Sequence, residues 1–103
     1  MERMERRREP RIPIEIEVHI AGVDAEGELF NQGATARSLS ASGALLTGIE
    51  RDLRCGDVLL VLTVSRRAKF KIVWVRDSQA AVHRLKGEPC PWQEMLEEVG
   101  ARP

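Results

Sequence analysis

The sequence predicts an all-β domain with a short C-terminal helix, built as a six-stranded antiparallel β-barrel. Three observations lead there. Ile12, Ile14, Ile16, Val18 and Ile20 alternate with polar residues or Pro13, the period of a strand with one face on a core. Six short apolar runs follow one another with polar breaks between them, the spacing of a closed or nearly closed barrel. From Pro91 the period lengthens: Trp92, Met95, Leu96 and Val99 fall at i, i+3, i+4 and i+7, one face of a helix.

Residues 1–11 form an arginine-rich arm. Five arginines (Arg3, Arg6, Arg7, Arg8, Arg11) stand against three glutamates, too much charge to bury. Pro10 turns Glu9 away from helix, so the arm is expected to be flexible unless something holds it. The barrel is expected over residues 12–86. Its first strand covers 12–20, with Pro13 near the start, where a missing N–H costs least. Residues 21–27, with Gly22, Asp24 and Gly27, form the connection. A second strand spans 29–39, interrupted at Asn31-Gln32-Gly33, and a third spans 44–49. Gly56-Asp57 marks a turn into residues 58–64, a continuous apolar run. A hairpin at 65–67 leads into 69–75, where Phe70, Ile72 and Trp74 share one face and Trp74 is assigned to the core. The last strand is 80–85.

Residues 87–103 make up the C-terminal helix and tail. Pro91 suits the first helical position and Gly100 the end. A helix of about nine or ten residues is too short to be stable alone, so its apolar face is expected to pack on the barrel.

The chain has 103 residues and 43% hydrophobic content, enough for one core. Sixteen basic and sixteen acidic residues cancel, against a general affinity for nucleic acid or anionic membrane. Aromatics are 4%, with no Tyr, which disfavours the stacking platforms of single-strand binders. Cys55 and Cys90 stand far apart without the spacing of a metal site, as expected of reduced thiols in a cytoplasmic protein. No apolar run approaches the ~18 residues of a membrane span. Neither His19 nor His83 sits in a nucleophile or metal motif, and no phosphate loop is present. The expectation is a protein without enzymatic activity, metal or cofactor.

Two stretches suggest binding instead. Residues 36–46 read A-R-S-L-S-A-S-G-A-L-L. As a strand this would place Ser38, Ser40 and Ser42 on one face, with Gly43 allowing a turn or a close approach. The other stretch is the arm, where Arg7 and Arg11 stand four apart just before the first strand. Arginine donates bidentately to phosphate and to the guanine O6/N7 edge, and stacks on flat bases.

Together, R-x-x-x-R at Arg7 and Arg11 and S-x-S-x-x-G from Ser38 to Gly43 resemble the PilZ domain, a bacterial β-barrel that binds the second messenger cyclic di-GMP. The resemblance spans roughly residues 5–75. It implies a ligand site of Arg7, Arg11, Ser38, Ser40 and Gly43, with Arg6 and Arg8 as helpers, and a non-enzymatic receptor acting through an output protein. The sequence departs from the pattern at Ser38, where the family has Asp or Asn to read guanine, and at Ala44, often a second glycine. That departure leaves an alternative: a degenerate PilZ fold that serves as a protein-interaction adaptor without nucleotide.

Overall fold

Six strands close into an antiparallel barrel, as the alternation predicts. The computed structural model describes residues 11–100. In chain order the elements are β1 (Ile16–Val23), β2 (Leu29–Arg37), β3 (Gly43–Thr47), β4 (Val58–Leu62), β5 (Arg67–Arg76), β6 (Gln79–Arg84) and α1 (Gln93–Gly100). Around the barrel the order is β1-β2-β3-β6-β5-β4, and β4 pairs back onto β1 through His19↔Leu62, Ile20↔Val61 and Ala21↔Leu60. Closure removes the free sheet edges that would otherwise invite pairing with other chains.

The inward positions are those the period of two selects. Ile20, Leu39, Leu46, Leu59, Phe70 and Ile72 are almost wholly buried, each stabilising the fold by about 1.5–3 kcal/mol relative to exposure. On β1, buried Val18 and Ile20 alternate with exposed Glu17 and His19.

Regular pairing begins later than expected, at Ile16. Ile12 makes a single bridge to Leu39, its N–H donating to the Leu39 carbonyl over 3.0 Å. Pro13 has no N–H to continue the ladder and constrains the residue before it. β2 runs unbroken through Asn31-Gln32-Gly33. Gln32 is tolerated there because its amide donates to the Gly48 carbonyl at 2.9 Å and accepts from Glu50 N–H at 2.8 Å.

The helix is shorter than expected, starting at Gln93, with residues 91 and 92 in the turn before it. It packs on the barrel: Met95, Leu96 and Val99 lie half-buried against the core, and Trp92 is 2% exposed. The Trp92 and Phe70 ring centroids are 5.4 Å apart and tilted by 33°, a favourable aromatic geometry. Among the described residues, no helix is long and apolar enough to cross a membrane.

Candidate functional site

The serine stretch is a loop, not a strand. β2 ends at Arg37 and β3 begins at Gly43, so the three serines do not share a sheet face. The chain leaves β2 through Ser38, whose φ of 55° lies in the left-handed region, a conformation that costs an L-residue roughly 1–2 kcal/mol. Asn and Asp adopt it more readily. The backbone at position 38 therefore suits Asn or Asp better than Ser.

Ser40 turns inward and is 3% exposed. Its hydroxyl accepts from Gly43 N–H at 3.2 Å and donates to the Gly43 carbonyl at 3.4 Å, and its own N–H donates to that carbonyl at 3.0 Å. This closes a tight local turn. At Gly43 a Cβ would stand 2.3 Å from the Val82 carbonyl oxygen. The close approach that requires glycine is thus the backbone of β6.

Three further contacts pin this loop, from β6 and from the segment just before α1. Arg84 donates from Nε to the Ala41 carbonyl at 2.8 Å, and its N–H donates to the Ser42 carbonyl at 2.6 Å. The Trp92 indole donates to the Ser40 carbonyl at 2.7 Å. Arg84 also donates from Nη1 to the Glu88 carbonyl at 2.6 Å, tying the loop to the segment before α1. Sequence reasoning missed Arg84 because nothing local marks it. Trp92 carried a signal, since a buried indole N–H needs a partner.

The last residue of the arm lies beside this loop. Arg11, exposed, lies with Nη1 3.4 Å from both the carbonyl and the hydroxyl of Ser38, long contacts for hydrogen bonds. The other arm residues assigned to the site, Arg6, Arg7 and Arg8, lie outside the described residues.

Two depressions adjoin at Arg11 and Ser38. One, of about 450 Å³, is completed by Ile12, Pro13, Glu15 and Arg37. The other, of about 350 Å³, continues over the Ser40–Gly43 turn to Trp74 and His83. Arg37 faces Glu15 across 3.5 Å, so the first depression carries a mixed charge.

Trp74 does not lie in the core. It is 39% exposed, because β5 bulges between Ile72 and Trp74, Ile72 pairing with Val82 and Trp74 with Ala81. The extra residue, Val73, breaks the alternation that would have sent Trp74 inward, as bulges do when they re-aim a side chain. Beside small Ala81 the indole forms part of the depression wall, and the Arg76 guanidinium stands 5.4 Å from its ring centroid, within cation–π range.

The described residues hold no group of His, Cys, Asp or Glu side chains able to bind a metal ion. In comparisons with known proteins, the chain matches no protein-family model and no curated protein.

Proposed function

We propose that this domain is a PilZ-type receptor for cyclic di-GMP, a non-enzymatic module that passes ligand binding to an output protein. The observation that carries the reading is the meeting of the two motifs. Arg11 and Ser38 are 27 positions apart in sequence and 3.4 Å apart in space. A guanidinium here offers planar donors to a phosphate or a guanine edge, and the depressions on either side suit a ligand with two bases flanking two phosphates. Trp74 adds a surface on which a base can stack. On this reading the second arginine of the clamp is Arg7, four residues before Arg11 in the sequence.

A second reading, a PilZ-like fold kept as a protein-interaction adaptor, is favoured by Ser40 and Ser38. The Ser40 hydroxyl is buried and occupied by Gly43, and Ser38 lacks the paired acceptors of an Asp. Calorimetric titration with cyclic di-GMP, with GTP as control, separates the two. The receptor reading expects saturable binding to the parent and at least tenfold weaker binding to Arg7→Ala and Arg11→Ala, the scale of a lost charge-assisted contact. Lys at either position should not restore it. Absence of binding to the parent would favour the adaptor.

A further inference from the structure

The groove between α1 and the β4–β5 hairpin lies apart from the Arg11–Ser38 site, holds about 580 Å³, and has an apolar floor and an acidic rim. Trp92, Met95 and Ile16 contribute to its floor and Val64 to its wall. Val64 is fully exposed at the hairpin, although nothing in the turn requires an apolar residue there. The turn is closed by Thr63 and Arg66, Thr63 N–H donating to the Arg66 carbonyl at 2.8 Å and Arg66 N–H to the Thr63 hydroxyl at 3.1 Å.

The charged groups lining the groove are all carboxylates: Glu17, Glu94 and Glu98. Glu94 is neutralised by Arg66 at 2.8 Å. Among the described residues, Glu17 and Glu98 have no ion-pair partner. On a chain of zero formal charge, this is a local negative field around an apolar slot. Such a field steers and selects partners of opposite sign.

We propose that this groove docks a basic amphipathic segment of a partner protein, its apolar side chains against Met95 and Val64 and its Lys or Arg side chains on Glu17 and Glu98. Recognition follows the helix-in-groove mode, with anchors at i, i+3, i+4 and i+7. The proposal does not depend on nucleotide binding at the other site.

The probe is a 14-residue synthetic peptide, roughly four helical turns, with Leu at those anchor spacings and Lys elsewhere. Its counterpart has Glu at every Lys position. Amide shifts of the isotope-labelled full chain are followed by NMR. The Lys peptide should give saturable shifts at Val64, Met95 and Glu98, and the Glu peptide should bind at least tenfold more weakly. A Glu17→Lys/Glu98→Lys double variant should invert that preference. Both side chains are exposed, and a cation in the last turn of a helix is favourable, so the variant should fold. Val64→Ser, which removes the apolar side chain and adds no charge, should weaken the Lys peptide at least tenfold.

Equal affinity for the two peptides, shifts centred elsewhere, or no saturable shift would overturn the proposal. So would concentration-dependent self-association in sedimentation that Val64→Ser abolishes, since a second copy of the chain would then be the occupant.

Discussion

The indole Nε1 of Trp92 donates to the backbone carbonyl of Ser40 over 2.7 Å, joining residues 52 positions apart. One side chain therefore holds the C-terminal segment on Phe70 and fixes the centre of the candidate ligand loop. Trp92 also lines the acidic groove, so the loop and the groove share one side chain.

Trp92→Phe keeps a ring against Phe70 but removes the donor, leaving the Ser40 carbonyl without its indole partner. The expected loss is about 1–3 kcal/mol, the cost of an unsatisfied buried polar group, read in urea unfolding. Trp92→Ala should cost more, about 3–5 kcal/mol, because a cavity is added. If Trp92→Phe were as stable as the parent, the hydrogen bond would not hold the loop.

Arg84 acts on the same loop from β6. Arg84→Met keeps much of the aliphatic stem but removes the donors to the Ala41 and Glu88 carbonyls. Two side-chain hydrogen bonds are lost, one by one about 1.5–3 kcal/mol each when the donor is charged, and less here because the site is half-exposed. Arg84→Lys should recover only part of this, since an ammonium cannot span both carbonyls with a planar fork. Equal stability of the Lys variant and the parent would count against the two-point tether.

The strands and the helix were legible because their signals are local. Alternation from Ile12 to Ile20 selects the inward face whether or not the first residues pair, and the change of period after Pro91 marks α1. Trp74 was misplaced because a bulge is a defect of register between two strands, and the run of Phe70, Ile72 and Trp74 carries no trace of it. The loop at residues 38–42 was misread as a strand for a related reason. Alternating serines suit both conformations, and what sets the loop apart is the left-handed backbone at Ser38 and the turn that Ser40 closes on Gly43. The contact of Arg11 with Ser38 has no local signal, since the two residues stand 27 positions apart.

Gly43→Ala tests the close approach of β6 to position 43. The new methyl would stand 2.3 Å from the Val82 carbonyl oxygen, so β3 and β6 must separate where they begin to pair. Overpacking of this kind costs about 1–3 kcal/mol or more. Thermal unfolding followed by circular dichroism should show a clear drop in Tm, and an unchanged Tm would mean that the strands part without cost.

Asp24 gives the fold a pH dependence. It is buried in the β1–β2 turn, accepting from Glu28 N–H and Glu26 N–H at 2.9 Å each and from Arg51 Nη1 at 2.7 Å. The Glu28 backbone hydrogen bond and then Arg51 hold its carboxyl below the ordinary 3.8, against the opposing effect of burial. A carboxyl whose folded pKa is depressed stabilises the fold above its unfolded pKa, and that contribution is lost as pH falls through the folded value. Asp24→Asn should therefore be less stable than the parent at pH 7, and the gap should narrow below about pH 4. A gap that stayed constant from pH 7 to pH 2 would show that the carboxylate charge is not what Asn lacks.

Ser38 separates backbone strain from ligand recognition. Its φ of 55° suits Gly and Asn better than Ser. Ser38→Gly should release part of the roughly 1–2 kcal/mol of left-handed strain, offset by the greater freedom of glycine in the unfolded chain. It also removes the hydroxyl near Arg11. Ser38→Asn should be at least as stable as the parent and adds a carbonyl acceptor at the edge of the depression shared with Arg11. If a guanine edge lies there, Asn should strengthen cyclic di-GMP binding, by up to the about 1–3 kcal/mol of a bidentate base contact, while Gly should not. Ser38→Asp offers two acceptors to guanine but places a carboxylate beside Arg11, which can capture it and conceal the gain. Asn carries no charge to be captured, so it is the decisive variant. Equal affinity of the Asn and Gly variants in calorimetry would mean that any gain comes from backbone relief alone, and that position 38 does not read the base.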